Sequence, residues 1–292
     1  MKYINYIHEG RTACGVVIGD TVHRVDWNMR DLMVLSAAGQ EREVGLQRGP
    51  GIDLGAVTTL PPVLPESRII CAGINYVEHQ IESADVFSAN IPENPILFMK
   101  DEAAMCGPYD VLELPADVSE EFDWEAEMGV VIGAPARGVD RAEAWDVVAG
   151  FTVVNDITAR DLQTKHQQWT LGKNVERSTP IGPWIVSRDE IGSEPDLELQ
   201  LRVNGAVKQS ARTKDMIFDI PTLISVVSNV IPLRPGDILV TGTPAGVGFK
   251  RNPAEFLRDG DVVETSIESV GTLRNPVRVT RTAPLVASNT PA

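Results

Sequence analysis

The sequence is poor in the residues from which most protein metal and redox centres are built. Its 292 residues hold three cysteines, Cys14, Cys71 and Cys106, and four histidines, His8, His23, His79 and His166. The cysteines are odd in number, far apart and without a CxxC pair, which excludes zinc ribbons, sulfur clusters and a thiol redox couple and predicts reduced, mostly buried thiols. The histidines show no HExxH-like spacing, so any metal must rest on carboxylates. Positive charge is scarce as well. Lys plus Arg number 26 against 41 Asp plus Glu, a net charge of −15, which argues against nucleic acid and anionic lipid as partners. No apolar run approaches the roughly 20 residues of a membrane span. The opening MKYINYIHEGR lacks the apolar stretch of a secretory signal, so a cytoplasmic protein with no membrane contact is expected. What is present, 43% apolar and 23% charged residues, describes a globular chain of one large or two modest domains.

Strand signals dominate. KYINYI, ACGVVIG and TVHRVD in the first 30 residues alternate with turn residues and read as an antiparallel meander. A Gly-rich stretch from Ala37 to Gly55 and the prolines of LPPVLPESRII place a boundary near Pro65. Beyond it, PILFMK, DVLELP, EMGVVIG, FTVVND, PWIVS, LELQLRVNGAVKQ, DILVTG and VVETSIESVG read as strands, with a hairpin at Asn204-Gly205. Helices are expected at 76–84, 140–148, 158–168 and 220–230. Grouped strands disfavour a doubly wound fold, and the chain reads as mainly β, or α+β. It divides into a small N-terminal β domain with linker (1–65), a larger domain (66–282) and a disordered tail (283–292) rich in Ala, Pro, Ser, Thr and Asn.

Asp123, Glu125 and Glu127 stand at i, i+2 and i+4 before a buried apolar run, and in a strand they would share one face. One reading is a strand end splayed into solvent. The other is a cation site completed by Asp156 at the end of FTVVND, should the two strands be neighbours. Three hard oxygen donors would suit Mg²⁺ or Mn²⁺ with positions left open for water or substrate. Asp156 has its own alternative, as the cap of the turn that follows.

His79 and Glu82 lie three apart on one predicted helix face. A carboxylate beside an imidazole raises its basicity and fixes its tautomer, which makes the pair a candidate general base; the competing reading is a chance pair on a solvated helix. The polar stretch 83–95, with Pro92 and Pro95, suits a lid. Lys100 and Lys173 are candidates for holding a carboxylate or an oxyanion, or are solvated ammonium groups. The Thr241–Gly248 loop, TGTPAGVG, is a possible anion cradle but is neither a P-loop nor a dinucleotide fingerprint.

In their order, GINYVEH, PILFMK, FDWEAEMGVVIG, AGFTVVNDITARDLQ, Gly172-Lys173, PIGPW, VNG and LRPGDILVTGTPAGVG resemble the fumarylacetoacetate hydrolase superfamily over roughly residues 60–280. The resemblance implies a mixed β-roll catalytic domain, a small N-terminal domain and a homodimer. It implies one Mg²⁺ or Mn²⁺ per subunit on Glu125, Glu127 and Asp156, with His79, Glu82 and Lys173 as catalytic residues. Gln163, Thr243, Tyr76 and Arg177 would bind substrate. The chain departs from the usual pattern after the lysine, where Asn174 to Thr179 replaces a Ser-Phe-Asp-x-Phe run, and this stretch and the 83–95 segment should select the substrate. A 2-oxo acid chelated by the cation could give an enolate, so hydrolysis of the C3–C4 bond of a 2,4-dioxo acid of the acylpyruvate or fumarylpyruvate type is expected. The same enolate serves a lyase or isomerase: an oxaloacetate-type decarboxylase, a 2-oxo sugar acid dehydratase or a hydroxymuconate-type decarboxylase/isomerase. A purely structural ion is a further alternative, recognisable by a filled coordination shell.

Overall fold

Antiparallel pairing begins at the first residues of the computed structural model, which describes residues 1–47, 49–87 and 90–281. Lys2–His8 pairs with Arg11–Ile18, and that strand with Thr21–Arg24, which is the meander expected from the alternation. Lys2 and Tyr3 also pair with Val186 and Ile185 of the Thr179–Ser187 strand. The N-terminal strands therefore extend a twelve-stranded sheet that runs on through Val148–Asn155, Ala126–Ile132, Ile238–Val240, Ile69–Gly73 and Ile96–Lys100.

Ala126–Ile132 and Val148–Asn155 are buried at every position, as strands covered on both faces must be. On one face Met128, Val130, Phe151 and Val153 cluster with Leu199, Leu201, Val263 and Leu273 of a five-stranded sheet. On the other, Val131 and Ala149 meet Met29, Leu32 and Met33 of the Met29–Ala37 helix, whose N-cap Asn28 accepts the Asp31 amide at 3.0 Å. Each such side chain contributes about 1.5–3 kcal/mol on full burial.

The five-stranded sheet contains the Asn204-Gly205 hairpin, with φ of 51° and 79° at its tip, the positive pair that a two-residue type I′ turn requires. Its Gly271–Thr280 strand, and the Met29–Ala37 helix, were not expected from the sequence. The helical stretch expected at 140–148 is a 3₁₀ segment, Arg141–Val147. The other three expected helices are shorter than the pattern suggested: Val77–Glu82, Arg160–Lys165 and Ile220–Ser228. The tail from residue 283 lies outside the described residues, as do residues 88 and 89 of the expected lid. Among the described residues no helix is long and apolar enough to cross a membrane.

Register decides where the site forms. Ala126 pairs with Asn155, and Gly129 with Val240, both antiparallel; Val240 pairs in parallel with Cys71. The start of Ala126–Ile132 therefore lies beside the ends of Val148–Asn155, Ile238–Val240 and Ile69–Gly73. Four chain segments leave the sheet at one place.

Candidate active site

The register brings Glu125, Glu127 and Asp156 together, with candidate ligand oxygens all within 4.8 Å of one another and all three residues buried. The Asp156 amide donates to the Glu125 carbonyl at 2.9 Å, and the Asn155 side chain accepts the Glu125 amide at 3.0 Å. A solvated strand end is thereby ruled out. Asp123 does not join the cluster: it lies in a separate two-residue strand, Phe122–Asp123, paired with Thr158–Ala159. Asp156 does not serve as a cap through its carboxylate, whose oxygens face two buried lysines.

Lys100 donates to Asp156 Oδ1 at 2.5 Å and also to the Lys173 carbonyl. Lys173 Nζ donates to Glu125 Oε2 at 2.5 Å and Asp156 Oδ2 at 2.8 Å. Burial would raise the Glu125 carboxyl, but Lys173 and Arg160 outweigh it and hold it at about 2. Burial would likewise neutralise Lys173, yet Asp156 and Glu125 keep it a cation. Among the described residues no cation pairs directly with Glu127, and Lys173 only partly offsets its surroundings. It accepts the Gly242 amide at 2.6 Å, and burial, then Asp156 and Glu125, push its carboxyl well above the ordinary range. An enclosed carboxyl facing two others without a cation of its own is costly when ionised. Three carboxylates so placed fit a hard divalent cation with oxygen ligands.

His79 is buried, with Nδ1 3.3 Å from Glu82 Oε2. Glu82 in turn accepts the Gly246 amide at 3.1 and 3.2 Å. The glycine-rich loop does cradle anions, but those it holds are the protein's own. Its Gly242 amide goes to Glu127, Gly246 to Glu82, and the Gly248 and Phe249 amides to Asp123 at 2.7 and 3.1 Å. Gly242 and Gly246 have φ of 93° and 101°, and a Cβ would lie 2.9 Å from the Ala72 carbonyl and 2.2 Å from that of Lys208. Only glycine fits either position.

A cavity of about 20 Å³ opens at this point, lined by the polar side chains of His79, Glu125, Glu127, Gln163, Lys173 and Thr243 and by Phe87, Phe98 and Trp169. Two expected substrate-binding residues are not brought to it. Tyr76 is buried, its hydroxyl has no hydrogen-bond partner among the described residues, and it borders a different cleft, with Glu78, Arg212 and Asp215. Arg177 follows Lys173 closely in sequence, but the backbone turns at φ 52° and its guanidinium pairs with Asp110 at 2.6 Å on an exposed face. Lys100, a candidate for holding substrate, is enclosed behind Asp156.

Sequence reasoning missed Arg160 and Gln209. Arg160 lines the cavity and donates to Gln163 Oε1 at 2.9 Å; its i, i+3 spacing to Gln163 was a usable signal. Gln209 accepts the Ala126 amide at 2.9 Å and donates to Thr243 Oγ1 and the Pro244 carbonyl, each at 2.8 Å. It arrives from the hairpin of the other sheet, and nothing local in the sequence marks it.

Residues 68–278 match the family model described as fumarylacetoacetate (FAA) hydrolase C-terminal. The chain is 43% identical over 229 residues to the mitochondrial oxaloacetate tautomerase Fahd2a of Rattus norvegicus, a match spanning 78% of this chain and 72% of that protein. Among solved structures, 5-carboxymethyl-2-hydroxymuconate delta-isomerase from Mycobacterium smegmatis superposes with a TM-score of 0.80 at 32% identity, over 96% of this chain and 100% of that one. A fumarylacetoacetate hydrolase from Exiguobacterium antarcticum gives 0.80 at 34% identity with the same coverage.

Proposed function

The chain belongs to the fumarylacetoacetate hydrolase family, and from that premise we propose that it is a divalent-cation-dependent enzyme that interconverts the keto and enol forms of oxaloacetate or a close 2-oxo acid. The observation that carries this reading is the buried Glu125, Glu127 and Asp156 cluster set against His79 and Lys173 on one cavity. The names of the tautomerase and isomerase relatives favour proton transfer over the carbon–carbon hydrolysis expected from the sequence.

Glu125, Glu127 and Asp156 would hold Mg²⁺ or Mn²⁺, which supplies Lewis-acid polarisation of the 2-oxo group. Tautomerisation moves one proton between C3 and the 2-oxo oxygen and breaks no bond between heavy atoms. It needs a base for C3 and a donor for the oxygen. Glu82 faces His79 Nδ1, so Nε2 would be the ring nitrogen that takes the C3 proton. Lys173, held charged by Asp156 and Glu125, cannot serve as the base. It donates hydrogen bonds as a fixed positive group toward the oxygen that gains charge, and the proton this oxygen takes up comes from water, to which His79 releases the C3 proton. Gln163 and Thr243 orient the substrate from the same wall.

Decay of enol-oxaloacetate absorbance in the presence of Mg²⁺ or Mn²⁺ tests the reading. Acceleration that EDTA abolishes, and that His79→Ala reduces by about 10²-fold or more, is expected. Acceleration indifferent to EDTA rejects it. Hydrolysis is the second reading, supported by the His79 and Glu82 pair and by the hydrolase among the structural relatives. Release of acetate and pyruvate from acetylpyruvate, at a higher kcat/KM than oxaloacetate tautomerisation, would put hydrolysis first.

A further inference from the structure

Asp123 has no part in the chemistry above, yet it is wholly buried and every bond it makes leads toward the site. Oδ1 accepts the amides of Trp124 and Gly248 at 2.8 and 2.7 Å. Oδ2 accepts Arg160 Nε at 2.8 Å and the Phe249 amide at 3.1 Å. Arg160 lies over the Phe249 ring at 4.2 Å, donates through Nη1 to Gln163, and places Nη2 2.7 Å from Glu125 Oε1, an ion-pair contact rather than a well-aligned hydrogen bond.

A guanidinium is planar and its N–H directions are fixed relative to one another. Once Nε is held by Asp123 and one face by Phe249, the directions of both terminal nitrogens are set. Those nitrogens meet Gln163 and Glu125, one residue on the substrate wall and one in the carboxylate cluster. Glu125 Oε1 thereby faces Arg160, while Oε2 accepts Lys173 Nζ at 2.5 Å. The Gly248 and Phe249 amides belong to the loop that also carries the Gly242 amide to Glu127 and the Gly246 amide to Glu82.

We infer that Asp123 is a positioning residue: through Arg160 it orients Glu125 and Gln163, and through the glycine-rich loop it fixes that loop against the carboxylate cluster, while touching neither ion nor substrate. The inference rests on the metal reading of the cluster, and its test separates the two. Mn²⁺ affinity of the full chain, measured by titration calorimetry, is compared for the wild type, Asp123→Asn, Arg160→Lys and the double variant. Asp123→Asn keeps the shape and one acceptor oxygen, enough for the Trp124 and Gly248 amides, but puts an NH2 donor where Oδ2 accepts Arg160 Nε and the Phe249 amide. Arg160→Lys keeps a cation but loses the fork.

Each single variant is expected to bind Mn²⁺ about 10- to 100-fold more weakly, the loss usual when a partner of a metal ligand is removed. The double variant should be within about threefold of the weaker single, because residues acting through one path are not additive. A core control, Leu201→Ala, lowers the melting temperature from the remote sheet and should leave Mn²⁺ affinity unchanged. Wild-type affinity in folded Asp123→Asn, losses that multiply in the double variant, or an equal loss in the control would each overturn the inference. Should Asp123→Asn fail to fold, Arg160→Lys decides, and wild-type affinity there rejects it. A wild-type chain that takes up no Mn²⁺ overturns the metal reading and this inference with it.

Discussion

Glu127 ionises readily in water, but without a cation in place burial and then the nearby Asp156 and Glu125 push its carboxyl well above the ordinary glutamate range. The sign of the consequence follows from proton counting. Above about pH 4.5 the unfolded chain has released this proton while the native chain keeps it, so the native state binds more protons and metal-free stability falls as pH rises. A bound divalent cation favours the ionised form and opposes that fall. Glu127→Gln keeps an acceptor for the Gly242 amide and removes the titration. The metal-free variant should therefore melt at a higher temperature than the metal-free wild type at pH 7, with a flatter dependence between pH 5 and 7. It should also lack the upward melting shift that Mn²⁺ is expected to give the wild type. Thermal scans across that pH range check this, and parallel curves for the two proteins would show that Glu127 is not the uncompensated group.

At the scale of elements, the glycine-rich loop joins Glu82, the partner of His79, to the carboxylate cluster by amides of Gly246 and Gly242. Gly246→Ala meets two obstacles, a φ of 101° and a Cβ 2.2 Å from the Lys208 carbonyl. A loss of about 1–3 kcal/mol from the backbone alone is expected, together with loss of turnover as the Gly246 amide leaves Glu82. Denaturant unfolding beside the enol-oxaloacetate assay measures both, and an alanine variant of wild-type stability and rate would show the loop to be adaptable. The sequence made this loop visible as glycines after a strand, but not what its amides hold, because Glu82, Asp123 and Glu127 come from distant segments. Period-two alternation put Glu125 and Glu127 on one face, with Asp123 wrongly beside them, and Asp156 joined them only on the condition that the two apolar runs be neighbouring strands, a condition that the pairing of Ala126 with Asn155 meets. The Met29–Ala37 helix left a usable signal in Asn28 and in the apolar positions 29, 32 and 33, obscured by the Gly-rich stretch that follows. Gly271–Thr280 carries polar residues and Pro276 at alternate, solvent-facing positions, which weakens a strand signal without weakening the strand. Arg177 shows the limit of inference from adjacency: four residues beyond Lys173, one left-handed residue suffices to send it to another face.

Across the whole molecule, the twelve-stranded sheet crosses the boundary expected near Pro65 without a break. Tyr3, Val16, Met29 and Leu32 share one apolar cluster with Val131, Ala149 and Ile185. Lys2–His8 covers the edge of Thr179–Ser187, and Ser36 donates to the Ala149 carbonyl at 2.7 Å. An interface made of a shared core and paired strands should couple the two parts into one unfolding unit, unlike the small polar contacts that let domains move independently. Calorimetry of the full chain should then show a single transition. Deleting residues 1–65 should expose both an unpaired strand edge and the apolar face of Val131, Ala149 and Ile185, a combination that promotes edge-to-edge association. The truncated chain is expected to aggregate or to lose cooperative melting, although every cavity residue is retained. A soluble 66–281 fragment that melts cooperatively and still gains stability from Mn²⁺ would show instead that the catalytic part stands alone and that the N-terminal strands are an attachment.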